Sequence, residues 1–245
     1  MPLPHGNQAT LRRLEAVRAA FAQTPAAPIF PVPVAHLRQL GVLVVEAPRG
    51  PRLSALLTTP QAFVHLERLA QALLAIHQAQ VSLEQHRPWH REMTLLQKRV
   101  QKLESTAPAL HDSAAQLLAR IGRTEELRVT AAPAFHTLRP GDVLCLDQQI
   151  AFTRVDSLVL APPYITAADL LARLALGALR GDHDADGTKL RQQIRAAYRA
   201  ELGFPEDHAA PVEAAALLRL ACTQVDKGAE PALPARLIAQ ASTLV

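Results

Sequence analysis

Apolar residues at Leu11, Leu14, Val17 and Phe21 recur at helical spacing among Arg12, Arg13, Glu15 and Arg18. That pattern predicts an amphipathic helix of about three turns, ended by Pro25 and Pro28. The apolar run at 29–34 is interrupted by Pro31 and Pro33, so a strand there belongs at a sheet edge. Residues 41–46, Gly-Val-Leu-Val-Val-Glu, predict a buried strand, and a helix starts at 53–57. Over 61–79 the residues Phe63, Leu66, Leu69, Leu73 and Ile76 make one apolar stripe. It ends at His77, expected as a histidine packed at a helix end. Residues 93–103 and 107–121 predict two further helices, with 97–102 as a solvated face, and 127–132 lead into the middle of the chain.

The middle of the chain reads as loop, strand, turn and strand. Phe135-His136-Thr137-Leu138-Arg139 leads to Pro140, which fixes its φ, and Gly141, which permits a positive one. Val143-Leu144-Cys145-Leu146 is a short apolar run, Asp147-Gln148-Gln149 a polar turn, and Ile150-Ala151-Phe152 begins the return. A hairpin of this kind holds Asp142 and Asp156 near one point, and two converging carboxylates commonly hold Mg²⁺ on a nucleotide phosphate.

Beyond it, Thr166 reads as an N-cap with Asp169 in the first turn. Residues 167–179 are nearly all Ala and Leu, which predicts a helix buried on most sides. Residues 190–202 predict a helix closed by Gly203, and 212–225 another. Asp182, Asp184, Asp186 and Gly187 match the start of an EF-hand loop, but Gln193 stands at its twelfth position instead of the bidentate Glu. An acidic linker between helices is the expectation there.

The bulk numbers narrow the class. A chain of 245 residues, 49% of them apolar, buries a sizeable core. Only 4% are aromatic, so that core is Leu, Val and Ala, which favours closely packed helices. A net charge of +4 comes without any block of like charge, so a solvated basic surface explains it better than a nucleic-acid track. Cys145 and Cys222 are the only cysteines and are expected as buried free thiols. His65, His77, His86 and His90 match no zinc spacing. With no apolar stretch of spanning length and no signal core at the start, the expectation is a soluble cytoplasmic protein without membrane contact.

The segment 135–157 resembles the catalytic loop and metal-binding segment of the aminoglycoside phosphotransferase and choline kinase superfamily, whose pattern is H-G-D-x-H-P-G-N-V-L, a hairpin, then I-D-F/W-D/E. Leu138, Pro140, Gly141, Val143 and Leu144 agree with it. Asp142 stands at the metal-binding Asn and Asp156 at the metal-binding Asp. Thr137 replaces the catalytic Asp, Arg139 the second His, and Ser157-Leu158 the aromatic and acidic pair. The resemblance extends over roughly 10–245. Val44, Val45, Glu46 and Ala47 fall at the hinge that meets adenine, Glu15 at the helix Glu that pairs with a phosphate-binding Lys, and Asp169 at an Asp that holds the loop before it. No Lys precedes Lys98 and no glycine-rich phosphate loop precedes Leu11.

The resemblance implies an α+β, mostly helical, protein-kinase-like fold. A reduced N-terminal lobe would span 1–50 and a helical C-terminal lobe 51–245, with the catalytic-loop-like hairpin at 135–157. It also implies ATP and Mg²⁺ as cofactors. Phosphoryl transfer is mostly positioning and charge stabilisation, and Thr137 has no pKa near neutrality with which to accept a proton. His136 is the neighbouring alternative base. The expectation is a degenerate, N-terminally shortened member. It would be a pseudokinase with a binding or regulatory role, taking a partner protein or a small molecule in an acidic cleft. The alternatives are an active ATP/Mg²⁺-dependent kinase acting on a hydroxyl of an amino sugar, choline-like or other metabolite, and a truncated remnant. An exposed edge on a shortened lobe would favour a homodimer.

Overall fold

The computed structural model describes residues 5–22, 24, 27–59, 61–122, 130–182 and 187–245. The first part holds helix α1 (His5–Phe21) and strands β1 (Val32–Leu37) and β2 (Val42–Glu46). α2 (Leu53–Leu56), α3 (Ala62–Gln78), α4 (Trp89–Thr106) and α5 (Pro108–Gly122) follow. Next come β3 (Ala132–Phe135), β4 (Val143–Cys145), β5 (Ile150–Phe152) and β6 (Leu158–Ala161). The chain closes with α6 (Tyr164–Arg180), α7 (Gly187–Leu202), α8 (Glu206–Asp226) and α9 (Ala232–Ser242). This is the mostly helical α+β layout, with a small N-terminal lobe and a large helical C-terminal one. Among the described residues no helix is long and apolar enough to cross a membrane.

The strands pair in three antiparallel couples, β1 with β2, β3 with β6, and β4 with β5. Gly41 makes the β1–β2 reversal in a left-handed conformation (φ 61°), which a residue without a Cβ adopts at no steric cost. α1 packs on this pair through Leu14 and Val17, which are fully buried. β2 forms where the apolar run predicts it, but it is not buried: Val42, Val44 and Val45 are 42%, 40% and 37% exposed. Among the described residues it has one strand partner and one covering helix, so part of its apolar surface faces solvent.

The small lobe is sewn onto the β4–β5 hairpin. Ile29 donates its N–H to Ile150 O and accepts from Phe152 N, both at 2.9 Å, and Cys145 N donates to Pro51 O at 2.9 Å. Gly50 lies so close to β4 that a Cβ there would stand 2.6 Å from Leu146 Cδ2. The rings of Phe21, Phe30, Phe152 and Phe135 follow one another at centroid spacings of 5.9, 5.7 and 4.8 Å, and so join α1 to β5 and β3.

The core of the large lobe lies between α3, α4, α6, α7, α8 and α9. Its small side chains, Ala167, Ala168 and Ala172 on α6 and Ala214 and Ala221 on α8, let two helix backbones approach closely. Leu66, Leu69, Leu73 and Ile76 of the α3 stripe are buried, while Phe63 is half-buried under Lys189 Nζ at 4.6 Å. His77 is a core histidine, with Nδ1 2.7 Å from Pro133 O and Nε2 2.7 Å from Tyr198 Oη. Burial lowers its pKa to about 4, so it is neutral in the folded protein. Cys145 and Cys222 are buried free thiols, and burial pushes both pKa values up to about 11.

Three local expectations are corrected. α4 starts at Trp89, directly after Pro88, because a proline just before a helix leaves no unpaired donor there. Thr166 does not cap α6, which starts two residues earlier; its buried hydroxyl donates instead to Phe135 O at 3.1 Å. Gly141 lies in a 3-10 turn over Pro140–Asp142 and is not in the left-handed region. Residues 183–186 of the EF-hand-like stretch lie outside the described residues.

Candidate functional site

The loop between β3 and β4 is held from three sides. His136 N–H donates to Ser157 O at 2.9 Å, and Ser157 Oγ donates to Thr137 O at 2.8 Å. Leu138 N–H donates to Asp169 Oδ2 at 2.9 Å. Asp169, 3% exposed, also takes Arg173 Nε at 2.8 Å and Arg219 Nη2 at 2.6 Å. A carboxylate on α6 therefore fixes the loop backbone, the part that the resemblance implies for it. Thr137 is half-buried, with its Oγ1 3.5 Å from His136 Nδ1, and Arg139 is exposed.

Asp142 and Asp156 lie at one end of the β4–β5 hairpin. Thr153 donates its N–H and Oγ1 to Asp142 O at 2.9 and 3.1 Å, which fixes the hairpin end three residues before Asp156. Arg154, two residues before Asp156, turns onto it. Its Nε donates to Asp156 Oδ1 at 2.9 Å and its Nη2 to Oδ2, so both carboxylate oxygens are engaged. That bond, together with the charges of Arg154 and Arg13, holds the Asp156 carboxyl below the usual carboxylate range despite partial burial. Asp142 adds to the field that keeps Arg154 charged.

Arg13 of α1 approaches from the other side. It is buried and donates to Asp156 O at 2.5 Å and Val155 O at 3.3 Å. Burial lowers its pKa, and the charge of Asp156 works against that. The Asp156 carboxylate is thus paired with Arg154, while Arg13 holds the backbone beside it. Mg²⁺ on a nucleotide is held by one or two carboxylates together with phosphate and water oxygens, so the state of each carboxylate decides. Among the described residues no group of three His, Cys, Asp or Glu side chains converges on a metal position. In this arrangement Asp156 offers no free oxygen to Mg²⁺, because Arg154 engages both.

Val44, Glu46 and Ala47 are exposed, and Glu15 is exposed on α1. Val45 lines a cavity of about 430 Å³ together with Leu14, Leu43, Arg154 and Asp156. One residue of the hinge-like segment and one of the metal-site pair therefore share a cleft between α1, β2 and the hairpin. Asp142, Val44, Glu46 and Ala47 do not line it.

On the opposite side of the loop lies a cavity of about 100 Å³. His136 Nε2 sits at its edge, 3.1 Å from Glu92 Oε2, 2.9 Å from Arg87 Nη1 and 3.2 Å from Arg219 Nη1. A proton on Nε2 donates to Glu92; without one, the lone pair accepts from an arginine. Burial pushes the Glu92 carboxyl up. The His136 hydrogen bond and the charges of His136, Arg219 and Arg87 outweigh it and hold the group at about 2. The ring nitrogen of His136 is thus already surrounded by charged partners.

Sequence reasoning missed Arg154, Arg13 and the Arg87–Glu92–Arg219 group around His136. Arg154 carried a signal, since residues two apart on an extended chain share a face. The group around His136 carried none, because its members come from α8 and from either side of the start of α4.

A scan of protein-family models and a search of curated proteins find no match. Solved structures do match. A choline/ethanolamine kinase family protein from Mesorhizobium loti superposes with a TM-score of 0.66 at 14% identity, over 97% of this chain and 78% of that one. A thermostable mutant of aminoglycoside phosphotransferase APH(4)-Ia, in ternary complex with ADP and hygromycin B, gives 0.66 at 14%, over 96% and 82%. Choline kinase LicA from Streptococcus pneumoniae gives 0.63 at 12%, over 97% and 79%. The chain has the protein-kinase-like fold of choline kinases and aminoglycoside phosphotransferases.

Proposed function

We propose that this chain is a binding protein on a kinase fold, with little or no phosphoryl transfer. The observation that carries the reading is Arg154, whose guanidinium engages both oxygens of Asp156 where an active relative would present them to a metal. Thr137 at the place of the base supports it, because a hydroxyl of ordinary acidity does not take a substrate proton near neutral pH. The surroundings of His136 support it too, since Arg87 and Arg219 flank the nitrogen that would have to act instead.

Structural neighbours are named for choline and aminoglycosides, which are cationic acceptors. Such acceptors would meet guanidinium groups around His136 and, at the hairpin end, an Asp156 already paired with Arg154. A nucleotide in the cleft lined by Val45 and Asp156 remains part of the proposal, as a ligand held without metal.

Arg154→Ala tests the reading. Removing the guanidinium leaves two carboxylates and Arg13, and Mn²⁺ affinity, read by electron paramagnetic resonance, is expected to rise about tenfold. The pair is half-exposed, so solvent screening keeps the gain near that size. Equal Mn²⁺ binding by the parent chain and the variant would show that Arg154 does not close the site.

A further inference from the structure

The cavity beside His136 is built unlike a site for a cation. Its rim carries Arg87, Arg99 and Arg219 against a single lining carboxylate, Glu92. Glu92 is already committed, to Arg87 at 3.2 Å and to His136. Arg219 is held by Asp169 from behind. Arg99 has no carboxylate partner among the described residues; it donates one N–H, from Nη1, to Thr223 Oγ1 at 3.0 Å. A guanidinium has five donors in a planar fork, so Arg99 keeps N–H groups for an incoming acceptor. Below the rim, Trp89, Leu96, Ile165 and Val212 make an apolar floor.

Head and floor chemistry together select an amphipathic anion. We infer that this cavity binds a small carboxylate with a short apolar tail, the head on the arginine rim and the tail on Trp89 and Ile165. Arg–carboxylate pairing supplies orientation, because the fork matches two oxygens at once. The volume of about 100 Å³ limits the tail to a few carbons, since an apolar cavity of about 150 Å³ holds a benzene ring. The inference rests on reading the chain as a binding protein and names the class of its ligand.

The test uses the whole chain without nucleotide and three probes of equal length: pentanoate, pentanol and pentylamine. Titration calorimetry is expected to give saturable pentanoate binding, with pentanol and pentylamine at least tenfold weaker. Arg99→Glu, an exposed change on α4, is expected to weaken pentanoate at least tenfold while leaving the melting temperature of the free protein in place. Equal binding of pentanol or pentylamine, no pentanoate binding at tens of millimolar, or an unchanged affinity in Arg99→Glu would each overturn the inference. ADP formation from ATP, assayed separately, tests the non-catalytic reading. A positive result there together with selective pentanoate binding removes that reading and keeps the ligand class. Silence from pentanoate with no ADP does the reverse.

Discussion

Glu213→Ala is expected to destabilise the fold by about 3–5 kcal/mol, the usual cost of removing one partner from a buried ionic group. Glu213 is 2% exposed on α8. Its Oε1 accepts from Tyr164 Oη at 2.5 Å and from Arg195 Nε at 2.9 Å. Arg191 Nε lies 2.7 Å from Oε2, close enough for an ion pair though not aligned as a hydrogen bond. One carboxylate thus ties α6 and α7 to α8. Burial, then the charge of Glu213, push the Tyr164 hydroxyl well up, so it stays a proton donor. Without Glu213, two partly buried guanidiniums face each other and a buried hydroxyl loses its acceptor. For a chain of this size the loss corresponds to a fall in melting temperature of about 10 °C. Glu213→Gln keeps an acceptor for Tyr164 and is expected to lose about half as much. Urea unfolding checks both, and a loss within about 1 kcal/mol for the alanine variant would mean that the arginines find other partners.

The second large effect is at the loop anchor. Asp169→Ala removes the acceptor of Leu138 N–H and the partner of Arg173 and Arg219 in one step. A stability loss of about 3–5 kcal/mol is expected for the same reason. Unlike the Glu213 variant, this one loosens the loop itself. Amide exchange at His136 and Leu138 is therefore expected to accelerate more than exchange in α3 or α8. Asp169→Asn retains one acceptor and is expected to fall between. Uniform acceleration across the chain would contradict the role of Asp169 as a local anchor.

Much of the fold was legible because local and global signals agree. The α3 stripe ending at His77 and the Ala-rich α6 each state their element plainly. Asp169 was legible only through its place in a family pattern, since nothing in its own surroundings along the chain announces a bond to Leu138, 31 residues away. The exposure of β2 was not legible: Val42-Leu43-Val44-Val45 reads as buried whatever covers it, and the number of layers over a strand is a tertiary fact. The Phe135–Leu158 pairing of β3 with β6 was missed because both strands are only four residues long.

The candidate site divides in the same way. Asp142, Asp156 and Thr137 were singled out by their place in the family pattern, but the state of Asp156 is set by Arg154 and, from far away on α1, by Arg13. The cleft expected to be acidic is offset there by guanidiniums. On the far side of the loop, residues from three parts of the chain build a cationic rim that no spacing rule describes.

The most direct test of the central claim is the melting temperature of the intact chain with ATP, compared with Mg²⁺ and with a chelator. Ligand binding to the native state raises the melting temperature by mass action. The account predicts the same melting temperature under both conditions, because both oxygens of Asp156 are already engaged by Arg154. A rise that requires Mg²⁺ and disappears in Asp156→Ala would contradict it and place a working metal site in the cleft.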